Sequence, residues 1–139
     1  MLTGEFLHSV DAKGRVFVPA KLRESLGDTF MLAKNVDGCL SLYQLSEWKR
    51  LNDKLSTLPD SQTRPIKRFL FTFAADVTPD GQGRITLPQN LREYAGLEKD
   101  VAFLGVGDHA ELWALDRWNA MKSGDSLAEI EAMMKELGL

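Results

Sequence analysis

Two rounds of the same hydrophobic pattern run along this chain. In the first, strands are predicted over Gly4–Val10 and Arg15–Val18, joined by an Asp-x-x-Gly loop. A short helix follows over Pro19–Leu26, with Pro19 at its N1 position and Gly27 closing it. Phe30–Ala33 and Cys39–Tyr43 then form a hairpin across Val36-Asp37-Gly38. The second round predicts strands over Ala74–Thr78 and Arg84–Leu87, a helix over Pro88–Ala95 closed by Gly96, and a hairpin of Val101–Val106 with His109–Ala114 across Gly107-Asp108. Ser46 and Asp116 stand where N-caps would start further helices carrying Trp48 and Trp118. Between the rounds, Ile66, Phe69, Leu70 and Phe73 fall at i, i+3, i+4 and i+7, an amphipathic connector after the polar stretch Ser56–Arg64. A last helix, capped by Ser126, carries Leu127, Ile130, Met133, Met134 and Leu137 on one stripe, which is expected to be core rather than a partner-binding face.

The two rounds are copies. Asp11-Ala12-Lys13-Gly14-Arg15 matches Asp80-Gly81-Gln82-Gly83-Arg84 at an offset of 69, and Pro19, Leu22, Arg23 and Glu24 recur as Pro88, Leu91, Arg92 and Glu93. Farther on, Leu42 to Trp48 aligns with Leu112 to Trp118 at an offset of 70. In each loop Asp suits the turn because its carboxylate accepts local backbone N–H groups, and Gly14 or Gly83 supplies a positive φ. A module of about fifty residues exposes too much apolar surface to stand alone, so the copies are expected to interleave their hairpins into one closed β-structure.

Composition is that of an ordinary globular protein, with 44% hydrophobic and 27% charged residues. No stretch approaches a transmembrane helix and the start has no signal-peptide pattern, so a cytoplasmic location and no membrane partner are expected. One cysteine, Cys39, and two histidines, His8 and His109, leave no basis for a disulfide framework or a metal site. The formal charge of −3 argues against indiscriminate polyanion binding, but it is unevenly divided. Residues 1–75 hold 11 Lys and Arg against 8 Asp and Glu, whereas residues 76–139 hold 6 against 12.

The strand-Asp-x-x-Gly-Arg-strand-Pro-helix unit resembles the swapped-hairpin modules of AbrB and SpoVT type bacterial transcription factors. Its duplication, with one Asp-x-x-x-Arg signature per copy, resembles the MraZ family. That resemblance implies an α+β, mainly β fold: two tandem swapped-hairpin AbrB-like modules forming an intrachain pseudo-dimer β-barrel with short flanking helices. The expected division is a first module over 1–60, a connecting helix over 61–73, a second module over 74–124 and a C-terminal helix over 125–139. It further implies a nucleoid-associated transcriptional regulator that forms a ring-shaped homo-oligomer and binds direct repeats of double-stranded DNA upstream of its own division and cell-wall operon.

The DNA-binding candidates are Arg15, Lys13, Arg84, Lys21 and Arg23. A guanidinium can grip guanine O6 and N7 bidentately or clamp a phosphate, whereas Lys13 is a point charge suited to phosphate. Lys21 and Arg23, on the helix after Pro19, would add backbone contacts. Asp11, Gly14, Asp80 and Gly83 are structural turn residues. In an arbitrary β-protein the Asp–Arg pairs would only pin their turns; the resemblance makes Arg15 a DNA contact and leaves both roles open for Arg84.

Gly81-Gln82-Gly83 and Gly105-Val106-Gly107 lack the third glycine of a dinucleotide-binding turn, and there is no P-loop or calcium loop. Asp11 and Asp80 occupy equivalent turns with no neighbouring base, so they are not a catalytic pair. His8 and His109 read as half-buried strand residues, and Trp48, Trp113 and Trp118 as core or interface. No catalytic residue, cofactor or small-molecule substrate is expected, and the chain is read as a non-enzyme. The alternative is an antitoxin-like or scaffolding module whose terminal helix takes a protein partner.

Overall fold

The computed structural model describes residues 1–124 and 126–139; Asp125, the first residue of the expected 125–139 segment, lies outside the described residues. The first copy folds as β1 (Leu2–Ser9), β2 (Arg15–Phe17), α1 (Ala20–Leu26), β3 (Phe30–Lys34), β4 (Leu40–Gln44) and α2 (Leu45–Ser56), followed by the connector α3 (Asp60–Phe71). The second gives β5 (Ala75–Val77), β6 (Arg84–Thr86), α4 (Gln89–Ala95), β7 (Asp100–Gly107), β8 (Ala110–Ala114) and α5 (Leu115–Gly124), before the terminal α6 (Leu127–Glu136). The class is α+β, and the two copies exchange strands: β1 pairs with β7, β5 with β3, β2 with β6, and β4 with β8, all antiparallel.

The expected closed barrel does not form. Six strands make an open sheet in the order β1-β7-β8-β4-β3-β5, and β2 and β6 form a separate two-stranded ribbon. Unequal edges explain this. β1 runs beside β7 from Leu2 to Ser9, whereas its counterpart β5 meets β3 only at Ala75, Asp76 and Val77. The offset of 69 makes Phe71 equivalent to Leu2, and Phe71 is spent in α3. At the other end the N–H of Val10 donates to the Lys99 carbonyl at 2.8 Å, but its equivalent, Pro79, has no N–H to give.

Successive strand residues face opposite sides of the sheet. On one side Val101 and Phe103 join Leu22, Leu26, Leu91, Val16 and Ile85 in the main core, so α1, α4 and the ribbon share it. On the other side Ala102 and Leu104 pack with Cys39 and Trp113 beneath Leu115, Trp118 and Met121. Full burial of each large apolar side chain contributes about 1.5–3 kcal/mol. Across the seam between copies, Lys34 Nζ lies 3.8 Å from the Phe73 ring centroid, and the Tyr94 hydroxyl donates to the Asn35 carbonyl at 2.7 Å.

Several helix ends differ from expectation. Pro19 and Pro88 are N-cap residues with ψ of 133° and 140°, so each helix begins one residue later than predicted. Helices α2 and α5 start at Leu45 and Leu115, directly off β4 and β8, with no intervening turn to host a cap. Ser46 and Asp116 therefore lie inside the first turns, and Gln44 precedes α2 without a side-chain cap. The connector starts at Asp60, within the stretch expected to be polar linker, where Arg64 and Asp60 pair at 3.6 Å; it ends before Phe73. In α6, Ser126 Oγ does accept the Glu129 N–H, at 3.4 Å, but the apolar stripe is exposed instead of core. Both core clusters are already covered without it. Among the described residues no helix is long and apolar enough to cross a membrane.

His8 is half-buried in β1, edge-on to Phe103, but His109 lies in the β7–β8 turn rather than in a strand. Its ring stacks on Tyr43 at 5.0 Å, with Nδ1 2.7 Å from Asp108 Oδ1 and Nε2 3.8 Å from Glu111 Oε2. Glu111 and Asp108 both favour the protonated ring, and together they outweigh desolvation and hold the His109 pKa above the ordinary imidazole value.

Candidate nucleic-acid interface

Each Asp-x-x-Gly-Arg loop is organised by one carboxylate. Asp11 Oδ1 accepts the N–H groups of Lys13 and Arg15, both at 2.9 Å, while Oδ2 accepts Arg15 Nε at 2.8 Å. Asp80 repeats this with Gln82 and Arg84, at 2.9 and 3.0 Å, and with Arg84 Nε at 3.0 Å. In both loops the backbone N–H of the arginine does most to hold the carboxyl below the usual carboxylate range despite some desolvation; the guanidinium comes next at Asp11 and the Gln82 N–H next at Asp80. The ion pairs use only Nε. Among the described residues the terminal guanidinium nitrogens of Arg15 and Arg84 make no hydrogen bond, so the fork that matches a guanine edge or a phosphate stays available.

The loops are joined by the ribbon, which pairs Arg15 with Thr86, Val16 with Ile85 and Phe17 with Arg84. Val16 and Ile85 plug the core, anchoring the ribbon, while its other face turns outward. Each end of the ribbon is tied to the opposite loop: the Val18 N–H donates to the Gly83 carbonyl and the Leu87 N–H to the Gly14 carbonyl, both at 2.9 Å. A diagonal pair of arginines, 20–29% exposed in their side chains, thus sits on a small cross-tied platform.

The helices cross in the same way. A Cβ on Gly83 would lie 2.9 Å from Arg23 Cζ, and one on Gly14 would lie 2.6 Å from Arg92 Nη1. Only glycine, at φ of +82° and +75°, lets each guanidinium pack under the other copy's loop. Arg23 is held there by Nε donating to the Val18 carbonyl at 3.0 Å, whereas the buried Arg92 Nε finds no partner among the described residues.

The candidate residues therefore separate. Arg15 and Arg84 share the ribbon, Lys13 is exposed on the first loop, Arg23 supports the second loop from below, and Lys21 is exposed on α1. Two residues were not singled out from the sequence. Arg92 is the repeat equivalent of Arg23, and that equivalence was a usable signal. Phe17 stands 45% exposed opposite Arg84, its ring centroid 5.9 Å from the guanidinium carbon. It falls at a mismatch of the repeat, with Thr86 as its counterpart, and comparison of identities passes over it.

A sequence model of the family described as "MraZ protein, putative antitoxin-like" matches residues 1–69 and again 70–137. The chain is also similar to proteins named transcriptional regulator MraZ. That of Acetivibrio thermocellus is 49% identical over 141 residues, covering 100% of this chain and 98% of the relative. Those of Clostridium beijerinckii and Heliobacterium modesticaldum are 45% and 44% identical, each over 100% of both chains. Two successive matches to one family and full-length relatives at these identities agree with the duplicated loop-ribbon-helix architecture, and the chain belongs to the MraZ family.

Proposed function

We propose that the chain is a sequence-specific DNA-binding transcriptional regulator, with the ribbon and its two loops as the reading surface. The observation that carries this reading is the outward face of β2–β6, where two arginines keep their terminal nitrogens free on a braced two-stranded platform. The major groove admits such a ribbon, and an arginine fork placed there can distinguish guanine. Lys13, with Lys21 at the α1 end, would supply phosphate contacts. The relatives' names support regulation rather than catalysis.

The finer reading is a ring-shaped homo-oligomer in the cytoplasm, associated with the nucleoid, that binds direct repeats upstream of its own division and cell-wall operon. One ribbon makes few contacts, and several copies on repeated boxes add avidity. Identical neighbours in a ring favour boxes in one orientation, spaced by roughly one helical turn. Gel-shift titration on the region upstream of its own coding sequence tests this: a cooperative shift is expected, weakened when the spacing changes by half a turn. The exposed apolar stripe of α6 favours a second reading, an antitoxin-like or scaffolding interaction module. Absence of any shift together with a stable heterocomplex from cells would establish that reading instead.

A further inference from the structure

The ribbon turns four side chains outward, and only two of them are charged. Phe17 is directly opposite Arg84, and Thr86 is directly opposite Arg15, so each guanidinium has one apolar or methyl-bearing neighbour across the strand. Single exposed apolar residues are common on protein surfaces and carry no meaning by themselves. Phe17 differs through its place: it leaves the main core formed by Val16 and Val18 on either side and stands on the face that carries both arginines.

The edges of bases in the major groove offer one apolar group, the 5-methyl of thymine, and Phe and the Thr methyl are side chains that meet it. We propose that Phe17 and Thr86 are specificity-determining residues that contact thymine methyl groups beside the bases read by Arg84 and Arg15. The inference rests on the DNA-reading role proposed above and specifies what is read. The two contacts are unequal, because a phenyl ring covers more of a methyl than a threonine methyl does. Thymine next to the Arg84 position is therefore the more strongly required. The arrangement also gives the second loop, which has Gln82 where the first has Lys13, a non-electrostatic route to discrimination.

The test needs no knowledge of the natural site. Purified full-length protein selects its tightest duplex from a random-sequence library, and that duplex is resynthesised with deoxyuridine replacing thymidine one position at a time, which removes only the methyl group. Affinity is expected to fall about fourfold at the thymine contacted by Phe17, the effect of one fully buried apolar carbon, and by less at the thymine contacted by Thr86. Phe17→Ala should bind the thymidine duplex more weakly and lose discrimination at the thymine beside the base read by Arg84, while Phe17→Leu retains part of it. Thr86→Ser should lose discrimination only at the thymine beside the base read by Arg15. Equal binding of thymidine and deoxyuridine duplexes by the unmodified protein would overturn the inference and leave the DNA-reading role intact, as would full discrimination by Phe17→Ala. Selection that enriches no sequence would overturn both.

Discussion

Replacing Gly14 by alanine tests whether the arginine of one repeat braces the loop of the other. Gly14 sits at φ +75°, and its added Cβ would fall 2.6 Å from Arg92 Nη1, so the guanidinium must move. Gly38 is the control: its φ is +84°, but its Cβ would meet only Arg117 Nη1 at an ordinary 3.6 Å. A left-handed alanine costs about 1–2 kcal/mol, and the entropy lost from the unfolded chain returns about 0.4–1, leaving about 1 kcal/mol at either site. Displacing Arg92 adds about 1 kcal/mol at Gly14 alone, within the range found for contacting residues. For a chain of this length 1 kcal/mol corresponds to about 3 °C in Tm. Thermal unfolding followed by circular dichroism should then show a loss of about 3 °C for Gly38→Ala and about 6 °C for Gly14→Ala. In an Arg92→Ala background the extra loss at Gly14 should disappear. Equal losses at the two glycines, or additive effects of Gly14→Ala and Arg92→Ala, would refute the cross-brace.

Two further outcomes follow from the packing and the titrating groups. Leu91, fully buried between α4 and the sheet, should cost about 2–5 kcal/mol on truncation to alanine, read as a lower urea midpoint with unchanged slope. Because the folded His109 pKa is raised above 6.5, its contribution is fully present below pH 6.5 and is lost as pH rises through the folded value. The stability difference between the unmodified protein and His109→Gln should therefore be greatest in mild acid and shrink toward alkaline pH; a difference that grows with pH would contradict the contacts to Asp108 and Glu111.

Much of this architecture is legible in the sequence because local chemistry and duplication agree. The Asp-x-x-Gly-Arg loops, the proline-led helices and the paired hairpins each combine a turn signal with a period, and the need of a small module for apolar cover points to strand exchange. Closure of the sheet is not legible. It depends on how far β5 extends, which is decided by competition for residues such as Phe71 between the connector helix and the strand. Helix starts at Leu45 and Leu115 are misplaced for a related reason: the cap-forming residues Ser46 and Asp116 suggest a start that the continuous strand-to-helix junction overrides. At the candidate interface, the repeat points to Arg15 and Arg84 through identity. Phe17 becomes visible only when cross-strand register sets it beside Arg84. Arg23 looks like a surface cation from its helix position, yet its packing against Gly83 makes it a support for the second loop.

The first loop and the ribbon are proposed to grip DNA through Arg15 and Lys13. The direct measurement is titration of the unmodified protein, Arg15→Ala, Arg84→Ala and Lys13→Gln against selected and scrambled duplexes across a salt series, with oligomeric state and Tm checked for each. Arg15→Ala is predicted to lose about 1–3 kcal/mol on the selected duplex and far less on the scrambled one, and more than Arg84→Ala loses. Lys13→Gln should weaken both duplexes alike and lower the salt slope by about one per subunit engaged. An Arg15→Ala protein that folds, assembles and still binds the selected duplex as the unmodified protein does would contradict the account and reduce the Asp11–Arg15 pair to a pin for its turn.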